Sequence, residues 1–201
     1  MHKLHKHMAI AAILLAALVL PSIASATVIT FTGSVEEFGP GNPTVESGYR
    51  YDALSGTLIR SVRGNPNPSI EGRFNTTGGI LQIVRDDLAG GLFTFDGADI
   101  AKDNFGIGRF IVFAGYRNGV LQASESFQSS ASDLVFTTIS SIALSGVLID
   151  ELQIGLEALD SQSEIVDNVV LTASSVPEPS TIAMLGLGLA GFGYRKSLKT
   201  S

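Results

Sequence analysis

The chain has 201 residues, with 13 Lys and Arg against 19 Asp and Glu, three His, no Cys and no Trp. The histidines are His2, His5 and His7, so everything beyond the first few residues lacks both His and Cys. That composition excludes Ser-His-Asp and Cys-His nucleophiles, histidine general bases, zinc sites with N/S ligands, disulfide staples and thiol redox chemistry.

The chain opens with a basic stretch carrying Lys3 and Lys6, followed by an apolar run from Met8 to Leu20. Pro21 ends that run, and Ala24-Ser25-Ala26 supplies the small residues of a cleavage site. Residues 1–26 therefore read as a secretory signal-peptide helix, cut by signal peptidase after Ala26, with Ala24 and Ala26 defining the cut. All 19 acidic residues lie between Glu36 and Glu178. Five basic residues sit in the two ends, leaving eight and a net charge of about −11 for the middle of the chain. Such a surface repels nucleic acid and anionic lipid, so no nucleic-acid partner is expected.

From residue 27 the pattern is β throughout. Thr27–Thr32 opens with β-branched and aromatic residues. A turn-rich Gly39–Pro43 follows, then short strands at Ser47–Leu54 and Gly56–Val62 and a loop at Arg63–Pro68. Further strands are expected at Gly79–Val84, Leu92–Phe95, Arg109–Tyr116, Val120–Phe127, Leu134–Ile139, Val147–Leu156 and Ile165–Thr172. Asn118-Gly119 suits a type I′ turn and makes Arg109–Tyr116 and Val120–Phe127 a hairpin. The first arm is apolar on both sides, as for a strand inside a sandwich. The stretch Ile142–Leu159 is apolar enough for a helix, although Gly146 and Gly155 interrupt it and strand is favoured. About ten short strands with frequent turns predict a two-sheet β-sandwich over residues 27–175.

The chain ends at residues 176–201 with a stiff polar stop, a greasy run and a basic end. Pro177 and Pro179 fix φ and push Val176 and Glu178 towards extended geometry. Thr181–Tyr194 carries no charge and spans about 14 residues, short of the roughly 20 of a full membrane helix. Gly186, Gly188, Gly191 and Gly193 offer small faces for close helix packing, and Arg195, Lys196 and Lys199 stay cytoplasmic. Pro177-Glu-Pro-Ser-Thr181, the Gly-rich segment Met184–Gly193 and the pair Arg195-Lys196 together closely resemble the PEP-CTERM sorting signal of bacterial surface and matrix proteins. The resemblance implies processing by an exosortase, a transient stay in the inner membrane on a short C-terminal transmembrane helix, and delivery to the cell surface or beyond.

The middle of the chain resembles the jelly-roll ectodomains of some PEP-CTERM proteins and of lectin-like modules. Three stretches carry this: Leu92–Ala101, an aromatic strand running into an Asp-containing segment; the hairpin Val112–Gly119; and Ile165-Val-Asp-Asn-Val-Val-Leu171, an Asp-Asn pair in a closing strand. In similar folds the closing-strand Asp helps bind a structural calcium near the chain start. The resemblance thus makes Asp167 a candidate ligand, with Glu46 as its partner; the residues alone allow Asp167 to serve local N–H groups instead. No other cofactor is expected.

Sugar binding needs an aromatic platform and fixed polar groups. The candidates are Tyr49 and Tyr51, which share one side of a strand at i and i+2, and Tyr116 beside the hairpin turn. Their alternative role is core or edge packing. The adjacent acid pairs Glu36-Glu37, Asp86-Asp87 and Asp150-Glu151 point to opposite faces of a strand and make no acid–base couple, so no enzyme is expected. The expected function is that of an exported, exosortase-processed surface or matrix protein with a structural or adhesive role among exopolysaccharide or in biofilm. A lectin-like module with a defined glycan site and a minor polysaccharide hydrolase are the alternatives.

Overall fold

The structure, a computed structural model, describes residues 25–32, 36–64, 68–72, 79–86, 91–103, 110–156, 158–159 and 162–174. Residues 1–24 of the expected signal peptide, Ala24 among them, and the tail with Pro177, Glu178, Pro179, Arg195 and Lys196, lie outside the described residues.

The described residues form fourteen strands and no helix. In chain order these are β1 (Ala26–Ile29), β2 (Glu36–Phe38), β3 (Thr44–Glu46), β4 (Tyr49–Gly56), β5 (Leu58–Ser61), β6 (Ser69–Gly72), β7 (Gly79–Arg85) and β8 (Phe93–Asp103), followed by β9 (Phe110–Arg117), β10 (Val120–Gln128), β11 (Thr137–Ser140), β12 (Glu151–Leu156), β13 (Ala158–Leu159) and β14 (Gln162–Ala173). They build two antiparallel sheets. The first runs β11-β8-β14-β6-β5-β2, with β1 and β13 also paired to β14. The second runs β10-β9-β12-β7-β4-β3.

The alternation that predicted strands also faces them. On β7 and β12, Leu81, Ile83, Leu152, Ile154 and Leu156 point inward and the residues between them lie half-buried outside. Aromatic rings close the gap between the sheets. Phe95 of β8 stacks on Phe113 of β9 at 4.8 Å, and Tyr49 meets Phe93 edge-on at 5.4 Å. Each such ring contributes about 1.5–3 kcal/mol by leaving water, which is the principal stabilisation available to a chain without disulfides. Gly115 faces inward on β9, where a Cβ would lie 2.6 Å from Leu144 Cδ2 and 2.8 Å from Ile149 Cγ2. Only a residue without a side chain lets the segment between β11 and β12 pack there.

The hairpin turn is as expected: Asn118 and Gly119 have φ of 52° and 73°, the pair of positive values a type I′ turn needs. Several expected elements differ. The described residues of 142–159 hold strand and no helix, as the favoured reading had it, but β12 begins only at Glu151, while Ile149 bridges Phe93 of the first sheet. The strand expected at Leu134–Ile139 is confined to Thr137–Ser140. β8 runs on to Asp103, with every side chain from Gly97 onward buried. β9 lies inside its sheet, yet Phe110 and Val112 on one side are exposed. The short strands β2, β3, β6 and β13 were not foreseen.

β14 changes partners along one edge. β6 pairs with it at Ile165 and Val166, and β1 pairs at Val169 to Thr172. The register breaks between Asp167 and Val170, with Asn168 at a φ of 46°. The Asp-Asn pair of the closing strand is therefore a β-bulge at the point of exchange.

Candidate functional site

Strict alternation on β4 decides what its tyrosines do. Tyr49 and Tyr51 turn into the sandwich, 2% and 0% exposed, while Arg50 and Asp52 turn outward. Tyr51 packs edge-on to Phe31 at 5.2 Å, its hydroxyl accepts a hydrogen bond from Arg60 Nη2 at 3.1 Å, and the same guanidinium lies 5.6 Å from its ring centre. Burial raises the Tyr51 phenol above its ordinary pKa, an effect that the Arg60 charge opposes. This corrects the expected platform: both rings are core side chains, and no ligand stacks on a face already covered by other rings.

Tyr116 is placed differently. It lies half-buried on the outer face of the second sheet. Register aligns it with Glu151, Val84, Arg50 and Val45 across five strands, with Leu121 as its neighbour on β10. The next row holds Ser124, Ala114, Gln153, Gln82 and Asp52. Gln82 and Gln153 are direct cross-strand partners at its centre. Gln153 Nε2 donates to Glu151 Oε1 at 2.7 Å, and Asp52 Oδ2 accepts the Gly41 N–H at 3.0 Å. The face thus offers fixed amide donors and acceptors, both charges and a phenol, spread across five strands. Asp150 holds its end in shape: its N–H donates to the Tyr116 carbonyl at 2.9 Å, and its Oδ2 accepts the Asn118 N–H at 2.8 Å.

Glu46 and Asp167, the expected calcium ligands, serve separate segments. Glu46 Oε1 accepts the N–H and the hydroxyl of Thr30, each at 2.9 Å, and its Oε2 accepts the Thr32 N–H at 2.9 Å. Its carboxylate ties the segment after β1, in the first sheet, to β3 at the edge of the second. Asp167 is 1% exposed, and its Oδ1 accepts the Asn168 N–H at 2.7 Å within the bulge. Among the described residues no group of three or more His, Cys, Asp or Glu could hold a metal. Oxygens already committed to N–H and O–H donors do not fit a cation that needs six to eight oxygen ligands.

The outer face of the first sheet is acidic and largely covered. Register places Asp99 and Asp103 of β8, Asp167 of β14 and Glu71 of β6 on it, all buried. Arg63, Gly64 and Pro68, on the approach to β6, cover part of this face. Arg63 pairs with Asp103, and a Cβ at Gly64 would lie 2.7 Å from Asp167 Oδ2 and 2.5 Å from the Pro68 carbonyl oxygen. Burial raises the Glu71 pKa, with the Arg63 charge and a Ser61 hydrogen bond opposing the shift. Beside the covered part lies a depression of about 420 Å³ that includes Asp96, Asp99, Thr138 and Asn168. Its carboxylates are engaged: Asp96 by Thr94 and Thr172 at 3.1 and 2.5 Å, and Asp99 by Thr138 and Asn168 at 2.6 and 2.8 Å. Sequence reasoning passed over this face. The i, i+4 spacing of Asp99 and Asp103 in a strand was the signal that both would share a side.

Comparison with solved structures gives matches to family 29 carbohydrate-binding modules. One is 16% identical with a TM-score of 0.41, covering 75% of this chain and 90% of that one. A mutant module complexed with cellulohexaose is 14% identical with a TM-score of 0.44, covering 74% and 91%. Comparison with curated proteins gives no match. Residues 175–197 match the model of the PEP-CTERM protein-sorting motif, which includes Pro177, Glu178, Pro179, Arg195 and Lys196. The chain therefore joins an all-β two-sheet sandwich to a match, over residues 175–197, with the PEP-CTERM protein-sorting motif.

Proposed function

We propose that this exosortase-dependent surface protein is a non-catalytic matrix component with a structural or adhesive role, and that the outer face of its second sheet contacts extracellular polysaccharide. Residues 27–175 are the delivered domain, freed of residues 1–26 by signal peptidase and handed from a membrane-anchored intermediate to exosortase by residues 176–201. The observation that carries this reading is the row of Asp52, Gln82, Gln153, Ala114 and Ser124, flanked by Arg50, Glu151 and Tyr116. Amides aligned across strands suit the hydroxyls of a neutral polymer, and the domain's net charge of about −10 keeps polyanions away. A row of polar groups spread across five strands suits repeated weak contacts along a chain, which favours the adhesive role over a lectin with a defined site.

The test is retention of the purified protein on exopolysaccharide isolated from a producing cell, with and without the double change Gln82→Ala and Gln153→Ala. Retention is expected to fall while the thermal melt stays in place. Equal retention would remove this face from the proposal, and polysaccharide turnover lost on replacing Asp52 or Glu151 would make the protein a hydrolase.

A further inference from the structure

We propose that Lys102 and Asp133 condense to an intramolecular amide bond, with Glu164 carrying the proton, so that the domain is cross-linked without cysteine. Lys102 lies near the end of β8, where alternation with Ala98 and Ile100 of the core turns it to the inner side of the first sheet, and its side chain is 2% exposed. Its Nζ donates to Asp133 Oδ1 at 2.5 Å. A carboxyl carbon sits about 1.2 Å from its oxygen, so Nζ is within about 3.7 Å of Cγ, close to the separation of a near-attack pair. The backbone holds that approach, because the Leu134 N–H, one residue on, donates to the Lys102 carbonyl at 2.8 Å. Register sets Glu164 of β14 directly opposite Lys102, two residues from the core pair Ile100 and Val166 and therefore on the same inner side. Glu164 is also buried.

An ammonium held out of water is costly even when it is paired, and the amide removes that cost because both charges vanish. The step balances without an oxidant or an activated cofactor. Nζ attacks Cγ, the Nζ–Cγ bond forms and one Cγ–Oδ bond breaks. Two of the three ammonium protons leave with that oxygen as water, and the third stays on the amide nitrogen. Glu164 takes a proton from Nζ and returns it to the departing oxygen. Asp133, its side chain 40% exposed, leaves one side of the site open for the water to escape. Condensation is unfavourable between free molecules in water, and the fixed contact supplies the effective concentration that offsets it. The product ties β8 of the first sheet to the segment through which the chain returns from β10 of the second sheet to β11. It closes residues 102–133 into a loop and restricts the unfolded chain as a disulfide does, in a protein with no Cys.

Mass reads the reaction directly. The folded full chain, purified in mild detergent, is expected to weigh one water less than its sequence, and its digest to contain a peptide species joining Lys102 to Asp133. Lys102→Arg keeps the charge pair but brings a guanidinium that does not condense, and Asp133→Ala removes the carboxyl group; both are expected at the full sequence mass. Glu164→Gln keeps the side-chain shape and loses the proton carrier, and is expected to slow the growth of the dehydrated mass at least about a hundredfold. The unaltered chain gives the answer by itself, so a variant that fails to fold leaves the test intact. An unaltered chain at the full sequence mass, a water lost anywhere other than between Lys102 and Asp133, or Glu164→Gln reacting at the original rate overturns the proposal.

Discussion

Asp99 and Asp167 stand directly opposite each other on β8 and β14, two buried carboxylates brought together by strand register. Like charges in facing positions are destabilising unless each finds its own donors. Asn168 supplies one to each: its side-chain amide donates to Asp99 at 2.8 Å and its backbone N–H to Asp167 at 2.7 Å. Its positive φ aims both donors. Asn168→Ala removes the amide and leaves in the left-handed region a residue without the local polar side chain that lets Asn tolerate it, so urea unfolding is expected to show a loss of about 2 kcal/mol. Asn168→Gly restores the backbone geometry but not the amide, and is expected to cost less. Equal costs would mean that the bulge does not depend on backbone strain.

Glu46 offers a second test, because three hydrogen bonds converge on one half-buried carboxylate. Glu46→Ala leaves two backbone N–H groups and a hydroxyl without their acceptor, at an expected cost of about 2–3 kcal/mol. The effect is expected to be local first. Amide exchange at Thr30 and Thr32 should accelerate before that at Leu152 or Phe113 in the core. Calcium enters this test as a control: added calcium is expected to leave the melt unchanged, and a rise in melting temperature abolished by Glu46→Ala would restore the metal site.

Glu71 makes stability depend on pH with a definite sign. Burial raises its folded-state pKa above the unfolded value, so between the two the folded protein binds more protons than the unfolded chain. Its contribution is fully present below the ordinary glutamate range and is lost as pH rises through the raised folded-state value. Glu71→Gln is expected to flatten that part of the pH profile and to raise stability at neutral pH. Urea midpoints measured from pH 4 to pH 8 on both proteins check it, and identical profiles would show that Arg63 and Ser61 fully offset the burial.

What was legible in the chain follows from how far each element looks like its neighbours. β7 and β12 are half-buried strands whose alternation survives in the sequence, and Asn118-Gly119 names its own turn. β2, β3 and β6 are three or four residues long and exist because longer strands offer them an edge, which local pattern does not encode. The same limit hid the acidic face. Asp99, Asp103, Asp167 and Glu71 lie on three strands distant in sequence, and only pairing through β14 assembles them. The tyrosines show the reverse case. That Tyr49 and Tyr51 share a side was readable from i, i+2 spacing, but which side is inside depended on the partners Phe31, Phe93 and Arg60.

Those two kinds of tyrosine separate folding from contact in one experiment. Tyr51→Phe deletes the acceptor of a buried guanidinium hydrogen bond and is expected to lower stability by about 1–3 kcal/mol while leaving retention on exopolysaccharide intact, because Tyr51 is 0% exposed. Tyr116→Ala removes a half-buried ring from the outer face and is expected to weaken retention roughly three- to tenfold, the worth of about one net contact, with a smaller change in the melt. The sign of each effect is set by the side of the sheet on which the ring lies. Retention lost with Tyr51→Phe under conditions where the protein stays folded, and kept with Tyr116→Ala, would place the contact surface somewhere other than the second sheet.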